Sequence, residues 1–247
     1  MVKVEDVLQY VQQLAPAALA EDWDNVGALV DCGGDVTSIL VALDITEEVV
    51  AEAEYQGCQL IVSHHPVIFK PLRQLTRRDV PYRMIKKNIS AVCAHTNLDA
   101  AEGGVNDILC RLFGVADPKP FDKIGRVGRL TRPSSAQQLA QACQETLGAH
   151  VKLVDAGRPV TALAVVGGSG GDMLEAAAAA GADALLTGEA SHHDAIDARR
   201  MGLSLIVAGH YCTEFPVVAV LADKLARRFN GVRVLASRRS RDPFTYL

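Results

Sequence analysis

Aromatic side chains are scarce in this sequence, 5% of 247 residues with a single tryptophan, Trp23. A core must therefore be aliphatic, and the 49% hydrophobic content, rich in Val, Leu, Ala and Ile, supplies one and excludes a disordered chain. No apolar run approaches the ~20 residues that a membrane helix requires, so a soluble protein with no membrane partner is expected. The opening residues set acids among apolar positions at helical spacing (Val4, Val7, Leu8, Val11, Leu14), which predicts an amphipathic helix rather than a signal peptide. Excess positive charge is missing too. The net charge is -4 with the signs interspersed, so nothing suits wrapping duplex nucleic acid, and Arg238, Arg239 and Arg241 make only a short basic tail. Six cysteines (Cys32, Cys58, Cys93, Cys110, Cys143, Cys212) form no CxxC pair and sit mostly among apolar neighbours, as reduced cytosolic thiols do. A cytoplasmic location without disulfides is expected.

What the chain does have is centred on Leu60-Ile-Val-Ser-His-His-Pro66. An apolar run with strand propensity ends in two imidazoles, and Pro66 forbids the strand from continuing. His64 and His65 thus sit at a strand tip, and in open α/β sheets ligands bind at the carboxyl ends of strands. Adjacent imidazoles can serve one metal ion or two; equally, one can cap a core while the other faces solvent. The strand Ser38 to Leu43, a helix capped by Thr46 with Glu47 and Glu48 in its first turn, and a stop at Gly57 complete a β-α-β unit. A helix from Tyr82 to Asn88 precedes the strand Ile89 to Cys93, which runs into His95-Thr-Asn-Leu-Asp99. After a helix from about Val105 to Phe113, Asp117 to Lys123, with Pro118 and Pro120, is the expected linker.

The second half repeats the first. At an offset of 124, Val41-Ala-Leu-Asp onward falls on Val165-Val-Gly-Gly onward, Gly57 on Gly181, and Ser63-His-His65 on Thr187-Gly-Glu189. With nine residues dropped, His95-Thr-Asn-Leu-Asp99 falls on His210-Tyr-Cys-Thr-Glu214. The fold class expected is α/β, two similar lobes over residues 1–124 and 125–247; the last helix (Phe215 to Phe229) and strand (Val232 to Ala236) are free to pack back on the first.

His210 and Glu214, at i and i+4 where a strand passes into a helix, can face one ion. Alone, each such residue is an ordinary strand-end polar group. Together His64, His65, Asp99, His210 and Glu214 offer three imidazoles and two carboxylates, a set suited to two divalent ions bridged by a carboxylate and a water. Zinc, iron, manganese and nickel all fit. His95 and Glu189 are candidates for moving protons. His95 and the pair His192-His193 read either as groups near the metals or as surface histidines. Cys212 reads as packing, and Gly167-Gly-Ser-Gly-Gly171 as a tight turn rather than a phosphate cradle, lacking the P-loop lysine. Lys70, Arg73, Arg77 and Arg78 either steer a small anionic substrate or belong to a solvated loop.

Ser63-His-His-Pro66, His95-Thr-Asn-Leu-Asp99, Thr187-Gly-Glu189, Gly209-His-Tyr-Cys-Thr-Glu214 and Trp23-Asp-Asn-Val-Gly27 together resemble the GTP cyclohydrolase 1 type 2 homologue family, also called NIF-three-like proteins. The resemblance spans almost the whole chain and looks like the short form, with no inserted domain near residue 124. It implies a dinuclear metal site in the cleft between the two lobes, a toroidal homohexamer, and ligand roles for His64, His65, Asp99, His210 and Glu214. The function expected is metal-dependent hydrolysis of a small molecule, a nucleotide or cyclic amide among the candidates. The alternative is a non-catalytic metal carrier or scaffold assembled as a ring.

Overall fold

The computed structural model describes residues 1–246. In chain order the elements are α1 (Val4–Leu14), β1 (Gly27–Val30), β2 (Ser38–Ala42), α2 (Glu47–Tyr55), β3 (Leu60–Ser63), α3 (Val80–Lys86), β4 (Ser90–Cys93) and α4 (Thr96–Ala100). Then follow α5 (Val105–Leu112), β5 (Val115–Phe121), β6 (Gly125–Ser134), α6 (Ala136–Leu147), β7 (Lys152–Val154), β8 (Val160–Ser169), α7 (Leu174–Ala179), β9 (Ala184–Glu189), α8 (His192–Met201), β10 (Ser204–Val207) and α9 (His210–Glu214). The chain ends with α10 (Pro216–Arg228) and β11 (Arg233–Ala236).

These elements fall into two compact units: Met1–Ala101 with Val217–Arg241, and Glu102–Pro216 with residues 242–246. The division follows Ala101, ahead of the Gly103-Gly104 turn, whereas residue 124 lies inside the second unit in the turn joining β5 to β6. Most of the stretch expected as a linker, residues 117–121, belongs to strand β5, and Asp122 and Lys123 lie in the turn after it. Its prolines are tolerated because β5 is the edge strand of its sheet, where a missing N–H costs no ladder bond, and a register shift between Ala116 and Lys119 accommodates them.

The first unit holds a five-stranded sheet in the order β1-β4-β3-β2-β11. From β4 to β11 all neighbours run parallel, and β1 closes the other edge antiparallel. Every residue of β2, β3 and β4 is buried, which is why these strands read as continuous apolar runs rather than alternating ones. Ile39, Leu40, Leu60 and Ile61 are all 0% exposed, each worth about 1.5–3 kcal/mol of burial. Thr46 caps α2, accepting from Val49 N at 3.3 Å, and Val49, Val50 and Ala53 seat the helix on a core shared with Leu40, Ile61 and Met84.

The second unit holds a six-stranded sheet, β5-β6-β8-β9-β10-β7, of which β8, β9 and β10 are parallel. The repeat read from the sequence is present: β2, α2 and β3 correspond to β8, α7 and β9, and Gly57 and Gly181 both stop their helices at positive φ, 65° and 85°. It also extends further back. Asp31 Oδ1 accepts from Gly33 N at 2.8 Å, and Asp155 Oδ1 accepts from Gly157 N at 2.8 Å, in the turns that follow β1 and β7. Among the described residues no helix is long and apolar enough to cross a membrane.

Candidate metal centre

In the first unit the carboxyl ends of three parallel strands deliver the chemistry: Asp44 follows β2, His64 and His65 follow β3, and His95 follows β4. The backbone of the histidine turn is pinned. His64 N donates to Ala42 O (3.2 Å), His65 N to Leu43 O (2.8 Å), the Ser63 hydroxyl to His65 O (2.8 Å), and the Cys93 thiol to His64 O (3.0 Å). Burial pushes the Cys93 thiol well above its ordinary pKa, with Asp24 adding to the effect, so it stays a neutral donor.

Each imidazole is then fixed through Nδ1. His64 Nδ1 lies 3.0 Å from Ala94 O, His65 Nδ1 2.7 Å from Asp44 Oδ1, and His95 Nδ1 2.7 Å from Asp24 Oδ1. A carbonyl or carboxylate oxygen only accepts, so Nδ1 carries a proton in all three rings and Nε2 is the atom left to bind a metal when the ring is neutral. Ring centroids lie 5.0 Å (His64 to His65), 5.3 Å (His64 to His95) and 5.5 Å (His65 to His95) apart. Ligand atoms of the three lie within 4.8 Å of one another, a group able to hold a metal ion. Asp99, on the one-turn helix α4 and 4% exposed, places Oδ1 3.6 Å from His64 Nε2.

Asp24 has its side chain fully buried, and it serves as an anchor. Burial opposes its ionisation, but hydrogen bonds from His95 and from the Thr96 hydroxyl (2.5 Å) and amide (3.0 Å) outweigh it and hold the carboxyl at about 2.

In the second unit β10 is followed by Ala208 and Gly209, whose φ of 86° turns the chain into α9. His210 Nε2 is 3.0 Å from Glu214 Oε2, the i and i+4 relation expected, and His210 Nδ1 is 3.3 Å from Glu189 Oε1 at the end of β9. Two glycine positions make room for this group. A Cβ on Gly168 would stand 2.2 Å from Glu214 Oε1, and one on Gly188 would meet Gly168 O and Thr213 Oγ1 at 2.6 Å. The amides of Gly167 and Gly168 are taken by Asn106 Oδ1 (2.7 Å) and Thr213 Oγ1 (3.0 Å), which removes them as phosphate donors. The glycine run is thus the space in which the Glu214 carboxylate sits.

A family profile described as Duf34/NIF3 (NGG1p interacting factor 3) matches residues 2–243. The chain belongs to the Duf34/NIF3 family. Within it, a GTP cyclohydrolase 1 type 2 homologue of Clostridium perfringens is 34% identical, covering 99% of this chain and 100% of that protein. A Helicobacter pylori protein called GTP cyclohydrolase 1 type 2 is 32% identical over 91% of this chain and 92% of its own. Among solved structures, a Staphylococcus aureus hypothetical protein superposes with a TM-score of 0.90 at 28% identity, covering 99% of each chain. Reduced HcgD from Methanocaldococcus jannaschii gives 0.82 at 28% identity, covering 95% of this chain and 97% of its own.

Of the residues singled out from sequence, His64, His65, His95 and Asp99 gather in one unit, and His210, Glu214 and Glu189 in the other. His192 and His193 stand in solvent on the first turn of α8, 5.9 Å from each other. Cys212 is half-buried, its thiol raised by burial and then by Asp242, and Lys70, Arg73, Arg77 and Arg78 are exposed. The sequence reading missed Asp24 and Asp44 as the anchors of His95 and His65. A signal existed for Asp44, an acid directly after the apolar run of β2 at a strand's carboxyl end.

Proposed function

We propose that this Duf34/NIF3 protein is a divalent-metal hydrolase of a small anionic molecule, with a nucleotide or cyclic amide as the substrate class. The observation that carries the reading is the tethering of three imidazoles through Nδ1 to a carbonyl or a carboxylate, the outer-shell pattern that orients histidines as ligands and raises their basicity. The donor set fits a divalent ion of the zinc, iron, manganese or nickel kind. His64, His65 and Asp99 would hold metal in the first unit and His210 with Glu214 in the second, and the family resemblance supports two ions per chain. Such ions supply Lewis acidity and lower the pKa of water at the site.

The chain's own groups do the rest. Asp24 keeps His95 in the tautomer that accepts a proton at Nε2, and Glu189, half-exposed beside His210 Nδ1, exchanges protons with solvent. The family resemblance supports a toroidal homohexamer, and the six free cysteines support a reducing, cytoplasmic setting.

The test is turnover by metal-reconstituted protein across nucleotides, phosphoesters and cyclic amides. Hydrolysis that disappears in a His64→Ala, Glu214→Ala double variant is the expected result. Reversible metal exchange without turnover of any of these would leave the carrier or scaffold reading in its place.

A further inference from the structure

In a chain so poor in aromatics, Trp23 is 60% exposed and Phe69 46% exposed. Large apolar rings left in water are costly, and these two are not scattered. Their centroids are 5.8 Å apart, and each lies beside His95, Trp23 at 6.2 Å and Phe69 at 6.3 Å, all edge-on at 67° to 82°. Both rings are held in place by their neighbours. Asn25 Nδ2 donates to Ile68 O at 2.5 Å, tying the Trp23 turn to the Phe69 loop, while Asp24 grips His95 and Thr96. Three consecutive residues thus have three jobs: Trp23 offers a ring face, Asp24 orients the imidazole, and Asn25 fixes the distance to Phe69.

We propose that Trp23 and Phe69 form a stacking subsite for a planar heteroaromatic ring, which they present to His95; this rests on the metal-site reading above and names the substrate class for it. Size decides the occupant. A fully exposed aromatic residue offers 150–250 Å², so the two rings at these exposures present roughly 250 Å² at most. That area matches one bicyclic ring and falls well short of the about 800 Å² per partner that a stable protein interface buries. Edge-to-face rings leave π-faces open for an inserted base, and stacking tolerates any heterocycle because each has such a face. The exposed loop that continues from Phe69 carries Lys70, Arg73, Arg77 and Arg78, cations suited to an anionic substituent on the ring.

Trp23 is the sole tryptophan, so fluorescence of the full-length protein excited selectively at tryptophan, beyond the absorption of the tyrosines, reports on this subsite alone. Fluorescence is titrated with guanosine monophosphate, cytidine monophosphate and nicotinate, with ribose 5-phosphate as the ringless control. Saturable quenching by the ring compounds and none by ribose 5-phosphate is expected. Phe69→Ala should weaken binding about tenfold with metal content unchanged, Phe69→Tyr should restore it, and Trp23→Phe should retain binding by calorimetry. No saturable quenching by any of the three, equal quenching by ribose 5-phosphate, or wild-type affinity in Phe69→Ala overturns the proposal. So does a fluorescence shift that tracks self-association, which would make the patch a contact between copies. Elemental analysis of the same samples separates the two readings. Metal without ring binding sinks the subsite, and ring binding without metal sinks the metal centre.

Discussion

Asp183 does in the second unit what Gln59 does in the first. Gln59 Oε1 accepts from Thr37 N (2.9 Å), Thr37 Oγ1 (3.0 Å) and Ser38 N (3.0 Å); Asp183 Oδ2 accepts from Thr161 N (2.9 Å), Thr161 Oγ1 (2.7 Å) and Ala162 N (3.0 Å). The repeat is therefore kept at the level of single hydrogen bonds, each clamping the start of one parallel strand to the start of the next. One clamp is neutral and the other is a carboxylate.

That difference gives the second unit a pH dependence that the first clamp lacks. Burial raises the Asp183 pKa, but the Thr161 and Ala162 bonds and Arg158 outweigh it, so the folded value lies below the ordinary one. A lowered carboxylate stabilises the fold above its unfolded pKa of about 3.9, and that contribution is lost as pH falls through the folded value. Asp183→Asn should cost about 1 kcal/mol at neutral pH in urea denaturation, with the gap to wild type closing below about pH 4. A gap that is constant with pH contradicts the assignment.

Gly168→Ala should be severe. The new Cβ meets Glu214 Oε1 at 2.2 Å and sits at a φ of 64°, a conformation that itself costs a side chain about 1–2 kcal/mol. The Glu214 carboxylate must leave its place, so metal bound by the second set should fall while Cys93 and the first unit's histidines are undisturbed. Metal content and thermal melting of the variant check this; wild-type metal content contradicts it.

Asp44→Ala removes the anchor of His65 and leaves every proposed ligand side chain in place. Loss of such an outer partner typically weakens metal affinity 10–100-fold, so chelator competition should show a drop of about that size. An unchanged affinity would mean that the His65 ring is oriented by packing alone.

The parallel strands were legible because each is an unbroken apolar run ending in a chemistry-bearing residue: Ser63 before His64, Cys93 two positions before His95, Val207 before Gly209 and His210. Helix α2 was legible through Thr46 and Gly57, whose local roles the structure reproduces. Strand β5 was not, since Asp117, Pro118 and Pro120 are turn residues wherever a strand is paired on both sides, and only an edge position admits them. The ligand candidates stood out by residue type. Asp24 did not, because an acid that serves by accepting from an imidazole far away in sequence leaves no spacing to read, and Asp44 was marked only by its place after the apolar run of β2. Gly168 read as part of a tight turn and Gly188 only as a motif position, whereas what both supply is the absence of a side chain against Glu214 and His210.

The central claim is that imidazoles tethered through Nδ1 hold divalent metal in the first unit and that His210 with Glu214 holds it in the second. The most direct measurement is elemental analysis of full-length protein purified after metal reconstitution, alongside His64→Ala and Glu214→Ala variants shown to be folded by circular dichroism. Two divalent ions per chain in the parent and a loss in each variant is the result expected. Background metal in the parent, or a parent-like content in folded His64→Ala, would contradict it.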